Sequence, residues 1–207
     1  KLLMTLLPPS TAFFKLEIDD LEIKKQGQEA LQSEIDKGLR TIENALMNQI
    51  EISNDRVAMF EALKHLVVSG NVLLYLTDKG LKVYPLSKYV CKRDDVGNVL
   101  EIYIKETVHP QALPPEFLEL IKKKDNYDAE TIKEDLDIYT HIKRINDDVF
   151  WFQECKGEKI PNTDGRSKME ISPFIPLRFI RIDGEDYGRG YVEEYRGDLI
   201  SLESLMQ

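Results

Sequence analysis

The residues best suited to chemistry in this sequence are three carboxylates in a short segment near its end. Asp183, Glu185 and Asp186 follow one another, with Gly184 after the first of them. Carboxylate oxygens are the ligands that Mg²⁺ and Ca²⁺ prefer, so these three could hold such an ion. An exposed acidic turn accounts for the same spacing, because turns are rich in Asp and Gly. We therefore expect no metal site here, and we keep a metal-dependent nucleic-acid-processing enzyme as the alternative function.

The other reactive residue types lack the spacing that catalysis or ligand binding needs. The three histidines share no metal-ligand spacing with one another or with the two cysteines. The sequence contains no phosphate-binding loop of the Walker type. Gly188-Arg189-Gly190 is too short for a dinucleotide-binding fingerprint. The sequence thus predicts no catalytic residue, no cofactor and no metal, and we expect a protein that is not an enzyme.

The composition is that of a folded acidic protein. Hydrophobic residues make up 42% and charged residues 31% of 207 positions, with a formal net charge of −9. That charge argues against tight binding of duplex DNA, although a conduit for DNA remains compatible with it. No apolar run is long enough to span a membrane. Cys91 and Cys155 are expected to be free thiols. The sequence begins inside an apolar pattern and ends inside a helical pattern, which predicts a segment of a longer protein.

The carboxylates lie between a predicted strand and a predicted helix. Residues 174–182 form a nearly continuous apolar run, interrupted by Pro176 and two arginines, which indicates a buried strand. The segment 183–190, which we call the elbow, is rich in turn residues and glycine. A helix should follow, and Gly197 within it predicts that something packs closely there. One face of this helix would carry Tyr191, Tyr195, Leu199, Leu202 and Met206.

The rest of the chain predicts an α+β fold, with long helices packed on small antiparallel sheets. Apolar periodicity predicts a long amphipathic helix over residues 28–49 and a central helix over 55–68 that ends at Ser69-Gly70. Two hairpins are predicted from alternating apolar residues and turn signals. The predicted hairpin strands are 89–93 with 99–105, and 137–145 with 149–155. Residues 116–123 should form a short helix, and 160–172 a loop.

Several blocks of this sequence form a combination more specific than any one of them. The blocks near the end are Arg178 and Arg181 in the strand, Asp183-Gly184-Glu185, Tyr187-Gly188-Arg189, Tyr191-Val192-Glu193-Glu194-Tyr195 and Gly197-Asp198-Leu199. Further blocks occur upstream, among them Phe60-Glu61-Ala62-Leu63-Lys64 and Asp137-Ile138-Tyr139-Thr140-His141-Ile142. Together they closely resemble the portal, or head-to-tail connector, proteins of short-tailed bacteriophages.

The resemblance implies a division of the chain. Residues 1–182 would correspond to the wing region of a portal subunit. Residues 183–207 would form the elbow and the beginning of the stem helix. The remaining stem, the clip and the crown of such a subunit would lie outside this chain.

The resemblance also implies a structural function. Portal subunits close into a dodecameric ring at one capsid vertex of the virion, assembled in the host cytoplasm. Double-stranded DNA passes non-specifically through the ring during packaging, retention and ejection. The implied partners are other copies of the subunit, the major capsid protein, the terminase and tail adaptor proteins, with no membrane involved.

The residues that carry the resemblance are expected to be structural or to face the channel. They are Arg178, Arg181, Asp183, Gly184, Tyr187, Gly188, Arg189, Glu193, Glu194, Tyr195 and Asp198. A wall lined by Glu193, Glu194 and Asp198 would repel phosphates and let a duplex slide.

Overall fold

The computed structural model describes residues 2–8, 13–17, 32–125 and 135–206, and it shows helices together with two antiparallel sheets. The α+β class predicted from the sequence is confirmed. The helices are α1 Leu2–Leu6, α2 Gln32–Ile52, α3 Asp55–Ser69, α4 Pro115–Asp125, α5 Tyr191–Glu194 and α6 Arg196–Met206. The strands are β1 Asn71–Thr77, β2 Gly80–Pro85, β3 Tyr89–Arg93, β4 Val99–Val108, β5 Leu136–Ile145, β6 Asp148–Cys155, β7 Glu158–Lys159, β8 Gly165–Lys168 and β9 Phe174–Arg178. Within the described ranges, no helix combines the length and the apolar character that crossing a bilayer needs.

The first sheet has three strands in the order β2-β1-β9. Its central strand β1 is fully buried where it starts, with Val72 and Leu73 both 0% exposed. β9 comes from about a hundred residues further along the chain and pairs antiparallel with β1, placing Pro176 opposite Leu73. The end of β9 at Arg178 is therefore brought back to Asn71, where α3 passes into β1.

The second sheet runs in the order β3-β4-β5-β6-β7, with β8 also paired to β6. Both predicted hairpins are confirmed, since β3 pairs with β4 and β5 pairs with β6. The alternation predicted for β4 holds in its middle, where Ile102 and Ile104 are buried, whereas Leu100 at its start is 38% exposed.

The main core lies between the two sheets. Leu73 and Phe174 of the first sheet join Ile102, Ile104 and Ile142 of the second in one buried cluster. Burial of this apolar surface is the main term that holds the two sheets together.

A second, smaller cluster forms where α4 packs on the end of the second sheet. Phe117 and Ile121 of α4 are almost fully buried against Ile138 and Cys155. Cys91 and Cys155 are free and buried in separate clusters, as the sequence predicted. Burial raises the pKa of both thiols, which keeps them protonated and unreactive.

The prediction of a central helix over residues 55–68 is wrong in its burial, although the helix itself is present. α3, all of which the structure describes, buries a single side chain, Ala62. Val57 is 70% and Val68 55% exposed. The helix lies against β1 and β2 and also meets α1, α2 and α5, but these contacts leave Val57 and Val68 uncovered.

Three predicted boundaries also change. The segment 160–172 was expected to be a loop, but it contains β8, a short polar strand without apolar alternation. The strand expected over 174–182 ends at Arg178. The helix expected over 28–49 is observed as Gln32–Ile52, and its predicted first residues lie outside the described ranges.

Candidate functional site

The elbow, residues 183–190, is attached to the junction between α3 and β1. After β9, the Phe179 N–H donates to the Gly70 carbonyl at 2.9 Å. Ile180 and Arg189 then exchange two backbone hydrogen bonds of 3.1 and 2.9 Å. The chain between them folds back on itself, and this is why the predicted strand stops at Arg178.

Three glycines let backbone segments touch directly at this attachment. Gly70 ends α3 with φ 76°, a left-handed conformation that favours glycine. A Cβ atom on Gly70 would stand 2.3 Å from the Arg189 carbonyl carbon, and one on Gly190 would stand 2.3 Å from the Val68 oxygen. One on Gly188 would stand 2.8 Å from the Ile180 oxygen. A side chain at any of these positions would push the elbow away from the body.

Asn71 holds the elbow through hydrogen bonds that imitate a strand pairing. Its amide nitrogen donates to the Gly188 carbonyl at 2.6 Å, and its amide oxygen accepts from the Gly188 N–H at 2.8 Å. The same nitrogen donates to the Ser69 carbonyl at 3.1 Å. Asn71 is 2% exposed, so these bonds satisfy groups that water cannot reach.

Asp186 and Tyr187 connect the elbow to the free edge of β3. Asp186 Oδ1 accepts from the Arg93 backbone N–H at 2.7 Å, and its Oδ2 accepts from Lys92 Nζ at 3.0 Å. The Tyr187 hydroxyl accepts from the Cys91 N–H at 2.9 Å. These bonds pair backbone N–H groups of β3 that an edge strand would otherwise leave without an acceptor in the protein. The Arg93 N–H, and then Lys92, hold the pKa of Asp186 below its usual value.

Arg93 joins three segments with its guanidinium group. Its Nε donates to the Asp186 carbonyl, its Nη1 to the Gly97 carbonyl and its Nη2 to the Pro176 carbonyl, each at 3.0 Å. The planar fork of arginine suits this geometry. The elbow, the β3–β4 loop and β9 are thus fixed to one another by one side chain.

Arg178 and Arg181 converge on the same loop. The Arg178 Nη1 donates to the Glu185 carbonyl at 2.8 Å, and Arg181 donates to the Val96 carbonyl. Their Nη2 atoms lie 2.7 Å and 3.1 Å from the place where a Cβ atom on Gly97 would stand. Burial, and then the positive charges of Arg93 and Arg181, lower the pKa of Arg178. Arg93, Arg178 and Arg181 form what we call the arginine cluster.

The carboxylates Asp183, Glu185 and Asp186 are not arranged as a metal site. Asp186 is engaged by β3, and Glu185 Oε1 points to Arg189, 3.4 Å from its Nη2. Throughout the described ranges, no three or more His, Cys, Asp or Glu side chains come together in a way that could hold a metal ion. The geometry therefore gives no support to the alternative of a metal-dependent enzyme.

The final helix, α5 followed by α6, leaves the elbow and is exposed over its whole described length. Its root is fixed by aromatic contacts, since the Tyr191 ring meets Phe179 at 5.1 Å and Tyr195 at 5.5 Å. Beyond the root, Leu202 is 55% and Leu205 85% exposed. The expectation that something packs closely at Gly197 is wrong for the described chain, because nothing lies within 4 Å of a Cβ built there.

The structure divides the residues singled out from the sequence into two groups. Most of them meet in or beside the elbow: Arg178, Arg181, Asp183, Gly184, Tyr187, Gly188 and Arg189. The rest lie on the exposed final helix: Glu193, Glu194, Tyr195 and Asp198. Sequence reasoning missed Asn71 and Arg93, which the structure places at the centre of the first group. Ser69-Gly70 signalled the end of a helix, but nothing in the sequence indicated that the next residue binds Gly188, 117 positions away.

Comparison with known proteins agrees with this arrangement. The family described as bacteriophage head to tail connecting protein matches residues 1–207. The portal protein of Escherichia phage T7 is 39% identical over 100% of this chain, and that of Enterobacteria phage T3 is 38% identical over 99%. The portal protein of Enterobacteria phage SP6 is 30% identical over 100% of the chain.

The chain spans 40% of the length of the T7 protein and 39% of the T3 protein. The family match, in contrast, covers the chain from its first residue to its last, including the elbow and both sheets. The chain therefore belongs to the bacteriophage head to tail connecting protein family.

Proposed function

We propose that this chain is part of a portal subunit, one of several copies that close into a ring where the phage head joins the tail. The observation that carries the proposal is the match along the whole chain to proteins named portal proteins, at 38–39% identity for two of them. Identity at this level, continuous over both sheets and the elbow, supports a shared fold and a shared role.

The structure supports a division of labour within the chain. We assign residues 1–182 to the wing and residues 183–207 to the elbow and the beginning of the stem. The two sheets share one core and would form a rigid body. The final helix is exposed on all sides, which suits an element whose partners are other copies of the subunit.

The ring would serve as the channel for double-stranded DNA during packaging, retention and ejection. A chain with a net charge of −9 would let DNA pass without holding it by its phosphates. Its further partners would be the major capsid protein, the terminase and tail adaptor proteins. Its location would be the portal vertex of the virion, after assembly in the host cytoplasm.

The subunit would act without catalysis, and the energy for packaging would come from the terminase. A dodecamer is the expected assembly. Copies that close by rotation use two different surfaces of each subunit, one on each side. The elbow residues would set the direction of the helix, while Glu193, Glu194 and Asp198 would lie on a subunit contact or on the channel wall.

Electron microscopy of the purified full-length protein tests this function. We expect ring-shaped particles with a central opening, and a particle mass, measured by mass photometry, that is an integer multiple of the subunit mass. A protein that stays monomeric at micromolar concentration, in several salt conditions, would contradict the proposal. Saturable Mg²⁺ binding together with cleavage of nucleic acid would favour the metal-dependent enzyme instead.

A further inference from the structure

Three guanidinium groups share one small region without a carboxylate partner. Arg93 bonds three carbonyl oxygens, and Arg178 and Arg181 bond one each. In the described part of the chain, no carboxylate lies within ion-pair distance of Arg178 or Arg181. Carbonyl oxygens satisfy N–H donors but do not neutralise charge. The Asp186 carboxylate acts electrostatically on Arg93 and Arg178, so three arginines face one negative charge and the cluster keeps an excess of positive charge.

Two of the nearby carboxylates, Asp94 and Asp186, are engaged elsewhere, whereas the side chains of Asp95 and Asp183 are exposed and have no hydrogen bond or ion pair to a described residue. Both oxygens of Asp94 accept from Asn98, at 2.6 and 2.9 Å, and stabilise the β3–β4 loop. The Asp186 carboxylate accepts hydrogen bonds from the Arg93 N–H and from Lys92 at the edge of β3. The arginine cluster therefore keeps positive charge with which a further carboxylate can pair.

The final helix offers unpaired charge of the opposite sign. Between Tyr191 and Met206 the sequence has four carboxylates and one arginine. Glu193 lies 3.4 Å from the Nε of Arg189 in the same chain. Glu194 and Asp198, about one helical turn apart, are exposed, and their side chains have no hydrogen bond or ion pair to any described residue.

We infer that, in the assembled ring, Glu194 and Asp198 of one copy pair with Arg178 and Arg181 of its neighbour. This inference rests on the proposed ring function. The occupant of the arginine cluster is thus a second copy of this chain, joined through guanidinium–carboxylate hydrogen bonds. Such a contact uses two different surfaces of each subunit, as closure by rotation requires.

The geometry of a ring favours this pairing. Rotation about the ring axis changes neither the height nor the radius of an atom, so neighbouring copies present the same features at the same level. A Cβ atom on Gly188 would stand 2.8 Å from the Arg178 Cβ, and Glu194 follows Gly188 by only six residues. The difference in height and radius between the cluster and Glu194 is therefore limited by the short span of chain that separates them.

Charge reversal in the full-length protein tests the pairing. The primary variant is Glu194→Arg with Asp198→Arg, because these exposed side chains have no hydrogen bond or ion pair to a described residue, so their replacement should leave the fold intact. The second variant is Arg178→Glu with Arg181→Glu, and the third combines all four changes. A matched control, Glu34→Arg with Glu51→Arg, alters the net charge by the same amount on α2. Circular dichroism checks the folding of every variant.

We expect each reversed pair to raise the concentration at which half the subunits are in rings by about tenfold or more. The combined variant should restore assembly, and the control should assemble like the unaltered protein. Raising the salt concentration should weaken the unaltered rings more than those of the reversed variants, because salt screens exposed charges.

The possible outcomes separate this contact from the proposed function. If the unaltered protein forms rings and both reversed variants assemble equally well, the contact is wrong and the proposed function is unaffected. Loss of rings without recovery in the combined variant overturns direct pairing. Normal rings that retain packaged DNA differently after the Glu194 and Asp198 reversal place those carboxylates on the channel wall instead. An unaltered protein that never forms rings overturns the proposed function and the contact together.

Discussion

The elbow and the final helix are adjacent in sequence, but they are stabilised in opposite ways. The elbow has few apolar side chains, yet Asn71, Arg93, Asp186 and Tyr187 tie it to two sheets by hydrogen bonds. The final helix is rich in Leu, Ile and Tyr, yet every described residue in it is exposed. The difference teaches that hydrogen bonds within one chain fix where the helix leaves the body, whereas the described chain leaves the apolar side chains of the helix exposed.

Gly190→Ala should have the largest effect on the elbow. The new Cβ would stand 2.3 Å from the Val68 carbonyl oxygen, a contact that only backbone movement can relieve. We expect a loss of about 3 kcal/mol in unfolding free energy, measured by urea denaturation, as for other overpacked sites. Gly197→Ala is the matched control on the helix, where nothing lies within 4 Å, and it should stabilise by about 1 kcal/mol. Equal changes in unfolding free energy at the two glycines would contradict the contrast between a tightly packed elbow and an exposed helix.

Asn71→Leu should follow in size. It removes the hydrogen bonds to Gly188 and leaves buried backbone groups unpaired. We expect a loss of about 2 kcal/mol, with faster hydrogen exchange confined to the elbow and the end of β9. Asn71→Asp keeps the acceptor for the Gly188 N–H, but it buries a carboxylate against the Gly188 and Ser69 carbonyl oxygens, so it should lose at least as much as the leucine variant at pH 7. Unchanged exchange in the leucine variant would mean that the elbow is held by other contacts.

Asp186→Asn should have a smaller effect that depends on pH. The folded pKa of Asp186 lies below its unfolded value, so the carboxylate stabilises the fold above roughly pH 4. That contribution is lost as the pH falls through the folded pKa. We expect the variant to be less stable by about 1 kcal/mol at pH 7, and the difference to shrink as the pH falls below the unfolded value and through the folded pKa. A difference that grows in acid would contradict the assigned role.

Leu202→Ser with Leu205→Ser should have the smallest effect on the fold of the subunit. Both side chains are more than half exposed, so the unfolding free energy of a dissociated subunit should change by less than about 0.5 kcal/mol. The same variant should weaken the assembled ring, because those side chains would be buried between copies. Thermal unfolding of dissociated subunits and mass photometry of rings measure the two effects separately. A large loss in the subunit would show that the helix is part of its core.

The sequence predicted those parts of the fold whose signals are local. Ser69-Gly70 marked the end of α3, and alternation marked Ile102 and Ile104 as buried in β4. The turn chemistry of the elbow was also recognised. Each of these signals depends on residues that are close along the chain, where propensity and periodicity act.

What could not be predicted depends on distant partners. Asn71 looks like the first residue of a strand until Gly188 is placed beside it. The periodicity of α3 and of the final helix showed which faces are apolar but not what covers them, so α3 was wrongly expected to be central. The residues that carry the resemblance were expected to share one structural or channel-facing role. The structure instead separates the elbow residues from the exposed carboxylates of the final helix.

The crossing of Gly70 with Arg189 and Gly190 joins main chain to main chain, without side chains in between. The angle at which the helix departs is therefore insensitive to most substitutions, which alter side-chain volume and leave the peptide groups where they are. In a closed circle of identical parts, any angular deviation is repeated in every copy and accumulates around the circumference. If this chain closes into such a circle, a junction built from peptide groups would keep that tolerance narrow.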